Sequence, residues 1–157
     1  MSELKLFKRK QRYEHRSQLE NGKFEMVTLE EVIKHVRALN KDSPRTVNAE
    51  TKVGLYIELK DYQDQIDELG QDIAELTFAM LSKYGLGTVA DCENDVPIII
   101  QSFELDALKK FATMSDLPLV MLTSYSKSYD FDEISTVAHG VGPASAYIMN
   151  NDSLTDK

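Results

Sequence analysis

The chain has 157 residues, 28% of them charged and 42% hydrophobic, the balance of an ordinary globular domain able to bury a sizeable core. Its formal net charge of −8 excludes general nucleic-acid binding, which rests on neutralising phosphates with Lys and Arg. The single cysteine, Cys92, excludes an intramolecular disulfide, and no apolar run reaches the length of a signal peptide or a membrane span.

The first feature along the chain is local positive charge, Lys8, Arg9, Lys10 and Arg12, which reads as a solvated helix end or linker, or as a nucleic-acid arm or nuclear signal. Asn21-Gly22-Lys23 marks a turn, and Thr28-Leu29-Glu30-Glu31 reads as a capping box that opens a helix. Leu29, Val32, Ile33, Val36 and Leu39 follow at helical spacing, so the helix carries one buried stripe and ends near Asn40. A polar loop containing Pro44 is predicted over 41–52, then a strand over 53–60, Val-Gly-Leu-Tyr-Ile-Glu-Leu-Lys, apolar enough to have both faces covered in a parallel sheet. The spacing of Ile66, Leu69, Ile73, Leu76, Met80 and Leu81 predicts one long helix over 64–84 stopped by Gly85, with Gly70 costing it roughly 1 kcal/mol. A strand is predicted over 96–103 around the triple isoleucine, a helix on Leu105, Leu108 and Phe111, a strand over 117–123, a helix over 131–137, and a short strand or turn over 139–143. The polar residues from Asn150 onward read as a disordered tail.

The alternation of strand and helix implies an α/β fold with a parallel sheet and helical crossovers, which collects strand ends on one side. There stand Glu58 and Lys60, Gln101 and Ser102, Thr123, and the Gly140 turn. Glu58 and Lys60 are two residues apart and point to one side of the pleat, where a carboxylate and an ammonium can hold a cation beside an anionic oxygen, an arrangement suited to a phosphate ester. The alternative is an ordinary surface ion pair. Gln101 and Phe103 alternate with Ser102 and share a face, Phe103 serving either in the core or in a ligand wall. Ser102 is the one serine worth naming as a nucleophile, and pocket lining is its simpler role. His15, His35 and His139 are too dispersed for a zinc site, His35 reading as a surface residue, and neither a phosphate-binding loop nor a dinucleotide fingerprint is present.

Lys10-Gln11-Arg12-Tyr13, Asn21-Gly22-Lys23-Phe24, Thr28-Leu29-Glu30-Glu31, Leu55-Tyr56-Ile57-Glu58-Leu59-Lys60, Ile100-Gln101-Ser102-Phe103 and Gly140-Val141-Gly142-Pro143 together resemble the glycerophosphodiester phosphodiesterases, in that family's order. The similarity spans roughly residues 4–149 and is to the longer members, with the Glu-x-Lys and Gln-Ser-Phe strand ends most specific. It implies an incomplete (β/α) TIM barrel, a calcium or magnesium ion, and hydrolysis of a glycerophosphodiester to glycerol 3-phosphate and an alcohol. Under the resemblance Glu58 is a metal ligand, Lys60 neighbours the substrate phosphate, and Gln101 and Phe103 lie in the substrate cleft. Residues 1–27 become a basic lead and insertion loop, 28–149 part of the barrel, and 150–157 the tail.

The family's opening His-Arg-Gly strand, its Glu-x-Asp pair and its His-Asp pair have no counterpart here, nor do its closing strands; neither catalytic histidine falls on His15, His35 or His139. The chain alone is therefore expected to be an inactive part of a barrel, with strand edges open to self-association. The alternative is a non-catalytic interaction module derived from that barrel. As written the chain reads as cytoplasmic; a leader upstream would make it secreted or membrane-attached.

Overall fold

A computed structural model describes residues 3–42, 52–150 and 153–154; residues 43–51 of the loop predicted over 41–52, and tail residues 151–152 and 155–157, lie outside the described residues. The chain divides into two compact units, 1–35 and 36–157.

In the first unit a 3-10 turn, Glu3–Leu6, leads into an antiparallel bridge between Lys8 and Glu25. Phe24 O accepts from Arg9 N at 2.8 Å and Arg9 O accepts from Gly22 N at 3.0 Å, so the basic lead is one side of a closed loop rather than a helix end. Gly22 makes the return at a φ of 76°, a left-handed turn that glycine adopts without strain. The expected capping box is present: Glu31 N donates to Thr28 Oγ1 at 3.2 Å and Thr28 N to Glu31 Oε2 at 2.8 Å. Helix α1 (Leu29–Asp42) begins there and ends in the second unit. Of its predicted stripe Ile33 and Val36 are buried, whereas Leu39 is exposed.

The second unit holds β1 (Leu55–Glu58), α2 (Tyr62–Leu69), α3 (Ile73–Lys83), α4 (Val89–Cys92), β2 (Ile98–Ser102), α5 (Leu105–Ala112), β3 (Leu119–Thr123), α6 (Phe131–Ser135), β4 (Gly140–Pro143) and α7 (Ser145–Ile148). Strands β1 to β4 form one all-parallel sheet in the order β1-β2-β3-β4. Each strand lies beside its predecessor, and right-handed crossovers in that order put every helix on the same side. This is the winding of a barrel; a doubly wound sheet reverses direction and clothes both faces.

The burial pattern fits that winding. Ile98, Ile100 and Ser102 of β2, and Leu119, Met121 and Thr123 of β3, are buried on the helix side, where α5 lies on both strands and α3 lies on α5 through an edge-on contact of Phe78 with Phe111. Tyr56, Ile99 and Phe103 alternate with them, face the other way and remain 52%, 38% and 46% exposed. The expectation that the first strand has both faces covered therefore fails: its burial alternates, because nothing among the described residues covers the side that a closed barrel turns inward.

The sheet is also curled. A Cβ added to Gly142 of β4 would lie 3.7 Å from the Tyr56 hydroxyl of β1, although three strand intervals of about 4.8 Å separate the two strands in a flat sheet. A tyrosine side chain spans roughly half that gap, so the outer strands bend toward one another over the uncovered face.

Two predicted boundaries shift. The helix predicted over 64–84 is two helices, because Gly70 takes a left-handed conformation, φ 63°, and closes α2 through bonds to Gln65 O and Ile66 O. Asp72 then caps α3 by accepting from Ala74 N and Glu75 N, and Leu69 and Leu76, assigned to the buried stripe, are exposed. The strand predicted over 53–60 pairs only from Leu55, since Val53 is held instead by Asn40, whose side chain bonds its N–H and its carbonyl at 2.9 and 3.0 Å. In the tail, β5 (Met149–Asn150) pairs antiparallel with β6 (Ser153–Leu154), where the sequence pattern suggests no element.

Candidate functional site at the ends of the first two strands

Parallel pairing places Glu58 directly opposite Gln101, and Tyr56 opposite Ile99, so these four side chains share the uncovered face. Leu59 N donates to Gln101 O at 2.8 Å, which carries the pairing one residue past β1 and sends Lys60 to the side of Glu58. A cavity of about 130 Å³ opens at this end, lined by Glu58, Leu59, Lys60, Asp61, Phe103 and Glu104. Three of the four residues singled out from the sequence, Glu58, Lys60 and Phe103, thus meet at one depression, and Gln101 stands beside Glu58 in the ladder.

Glu58 and Lys60 are both exposed, and among the described residues neither side chain makes a hydrogen bond or ion pair. The surface ion pair that the sequence left open is not formed. A carboxylate and an ammonium therefore stand free at the mouth of a half-open sheet, next to an exposed phenyl ring.

Residues not singled out beforehand build the walls. Asp61 turns the chain away from the strand at a φ of 55°, a left-handed conformation that aspartate tolerates. There its side chain makes no cap bond to α2, and Glu104 from the end of β2 does so instead, accepting from Tyr62 N at 2.6 Å and Gln63 N at 3.1 Å. Sequence separation hides this partnership, because the capping residue comes from a different strand end.

Ser102 is not a nucleophile. It is fully buried on the helix side, its Oγ donates to Leu59 O at 2.7 Å, and Glu104 N donates to that Oγ at 3.0 Å. The hydroxyl ties the two strand ends together from behind the cavity. Thr123 is likewise buried on the helix side and borders a separate, mostly apolar cavity of about 460 Å³ with Tyr129, Phe131 and Val141. His139 lies at the start of β4, the opposite end of the sheet, where Leu119 N donates to its Nδ1 at 3.1 Å. His35 is exposed, as expected of a surface residue, and His15 belongs to the first unit.

Among the described residues no group of three or more His, Cys, Asp or Glu is arranged to hold a metal ion. Calcium and magnesium take six or more oxygen ligands, and the cavity offers two carboxylates without a hydrogen-bond partner among the described residues, Glu58 and Asp61, too few to make a metal centre by themselves. Nor is any described helix long and apolar enough to cross a membrane.

No protein-family model matches the chain. It is 32% identical over 128 residues to a curated glycerophosphodiester phosphodiesterase, GDPD6, of Arabidopsis thaliana, in a match that covers 78% of this chain and 32% of the relative. The chain thus spans about a third of the length of that relative. The family to which the relative belongs is enzymatic, and the one-sided, curled, all-parallel sheet is the architecture of a partial α/β barrel. Sequence and fold together support a partial relationship of this chain to the glycerophosphodiester phosphodiesterase family.

Proposed function

We propose that the chain is the part of a phosphodiester hydrolase that carries the substrate-facing ends of two adjacent barrel strands, and that by itself it is inactive. The observation carrying this reading is the convergence of free Glu58 and Lys60 with Phe103 on one cavity at the carboxyl ends of parallel strands, where barrel enzymes bind their substrates. Lys60 supplies positive charge to the phosphate of a glycerophosphodiester as negative charge grows on its oxygens, the kind of fixed electrostatic stabilisation worth on the order of a hundredfold or more in rate. Phe103 and Gln101 form one wall of the cleft, the ring against the glycerol and the amide as a hydrogen-bonding group. Glu58 contributes one carboxylate to a calcium or magnesium ion whose remaining ligands come from outside this chain. Glycerol 3-phosphate and an alcohol are the products.

The test is a restored barrel: residues 28–149 replace the matching segment of the Arabidopsis relative, and release of glycerol 3-phosphate from glycerophosphocholine is measured. Lys60→Gln should cut kcat/KM at least about a hundredfold. A folded chimera that keeps its rate after this change overturns the role of Lys60.

A second reading is favoured by the outer strands. Among the described residues β1 pairs only with β2 and β4 only with β3, so both edges of the sheet are open. Parallel strands with free edges and one bare face seek a partner, and a non-catalytic module that self-associates through these edges would satisfy them. Light scattering on the purified 157-residue chain separates the readings: a stable monomer counts against association through the edges.

A further inference from the structure

Within the first unit, positive charge is sorted by partner. Lys5 pairs with Glu31, Lys8 with Glu25, Lys23 with Glu20 and Lys34 with Glu30. Lys10, Arg12 and Arg16 have no acidic partner among the described residues. Arg12 donates from Nη2 to the Tyr13 hydroxyl at 2.6 Å, and the Arg12 and Arg16 guanidinium carbons lie 4.6 and 4.8 Å from the centre of the Tyr13 ring. Those two distances hold the guanidinium carbons within about 9.4 Å of each other around one ring.

The loop that gathers these cations is braced from within. Gln18 Nε2 donates to Tyr13 O at 2.9 Å and to Arg16 O at 2.8 Å, Asn21 Nδ2 donates to Gln18 Oε1 at 2.6 Å, and Gln11 N donates to Asn21 Oδ1 at 2.6 Å. With Gln11 Oε1 accepting from Tyr13 N at 3.1 Å, three uncharged side chains thus fix the backbone on both sides of Tyr13. A flexible tail would spread like charges apart; here they are held together without an ion pair to an acidic side chain among the described residues. Lys10 and Arg12 line an open depression of about 660 Å³, and the carboxylate bordering it, Glu20, is occupied by Lys23. Glu14 borders the neighbouring depression, of about 530 Å³, which Lys10 and Arg12 also line.

We propose that this loop, centred on Arg12, Tyr13 and Arg16, binds the phosphoryl group of a small phosphate ester, with the two guanidiniums bridging its oxygens and Lys10 adding charge. A nucleic-acid strand is the poorer fit, because it needs a track of cations, whereas these surround a single ring in a chain of net charge −8. The inference does not rest on the phosphodiesterase reading.

The experiment titrates the full chain, 15N-labelled and at low ionic strength, with inorganic phosphate, with glycerol 3-phosphate, and with phosphatidylcholine vesicles with or without phosphatidic acid. Saturable shifts at the amides of residues 11–21 are expected with the small phosphates, and R12Q/R16Q should weaken binding about tenfold or more. Lys34→Gln, which removes the same kind of charge from a pair that borders neither depression, should change affinity less than twofold. Tyr13→Phe keeps both charges and loses only the hydroxyl anchor, so a smaller loss there supports the geometry even if R12Q/R16Q disturbs the loop. Vesicle binding that requires phosphatidic acid and is competed by inorganic phosphate would identify a lipid headgroup as the source of the same phosphoryl chemistry. No saturation by any phosphate, equal losses in K34Q and R12Q/R16Q, or binding to an oligonucleotide alone would overturn the proposal.

Discussion

Replacing Ser102 with alanine should destabilise the second unit without touching the chemistry of the cavity. Its Oγ makes two bonds, to Leu59 O at 2.7 Å and from Glu104 N at 3.0 Å, at a position with 0% exposure. Alanine removes both and leaves a carbonyl and an amide without their partner. At a net value of about 1 kcal/mol for each such bond the loss is about 2 kcal/mol, toward 3 if the carbonyl stays dry. With an m-value of about 2 kcal/mol/M the midpoint of urea unfolding should fall by roughly 1 M with unchanged slope. Ser102→Thr, which retains the hydroxyl, should recover part of the loss. A midpoint for Ser102→Ala within about 0.2 M of the parent would mean that the serine does not hold the strand ends together.

Gly54→Ala places a Cβ 2.7 Å from the Pro97 carbonyl oxygen, a backbone atom that cannot step aside, and should cost about 1–3 kcal/mol in the same assay. Gly142→Ala meets the end of the Leu122 side chain at 2.7 Å, which can change rotamer, so its cost should be clearly smaller; equal losses would mean that Leu122 is held as firmly as the Pro97 backbone. Cys92 is buried, and burial pushes its thiol up to about 11, with Asp91, Asp95 and Asp116 adding to the rise. Alkylation at pH 8 should therefore be at least about a hundredfold slower in the native chain than in urea, and equal rates would refute the burial. The hydrogen bond from Lys5, followed by that from the Thr28 backbone, holds the Glu31 carboxyl down at about 2 against its usual 4.5. A lowered carboxylate stabilises the folded start of α1 above pH 4.5, and that stabilisation drains away as pH falls toward 2. Carbon-detected titration of Glu31 should show a midpoint near 2 that rises in Lys5→Gln; a midpoint at the ordinary value would contradict the capping box as drawn.

Much of the sheet was legible because the triple isoleucine of β2 and the apolar run of β3 leave few other options, and because alternation with helices forces parallel pairing. That Glu58 and Lys60 share a side was legible from period, since residues two apart share a face, whereas the pattern around Phe103 left core and ligand wall equally open and only the family resemblance put it in the cleft. The helix break at Gly70 was missed because a glycine inside an apolar stripe has two uses, a tolerated interior residue or a left-handed stop, and the choice was made by Asp72 supplying the next cap. The bare face of the sheet has no sequence signature, since Tyr56, Ile99 and Phe103 are the side chains a closed barrel would bury. Ser102 differs from a nucleophile only by which side of the pleat it occupies, and the register of Ile100 with Leu119 decides that. The braced loop around Tyr13 depends on a set of side-chain bonds among Gln11, Gln18, Asn21 and the backbone of residues 11–16, which composition and charge do not encode.

The most direct measurement compares Glu58→Gln with Ser102→Ala in the restored barrel, recording release of glycerol 3-phosphate per folded molecule. The two residues stand on opposite faces of adjacent strand ends, so the account predicts that Glu58→Gln loses at least about a hundredfold in rate with stability intact, whereas Ser102→Ala keeps its rate within about threefold and loses stability. A Glu58→Gln barrel that turns over at the parent rate would contradict the assignment of the catalytic side to the uncovered face of this sheet.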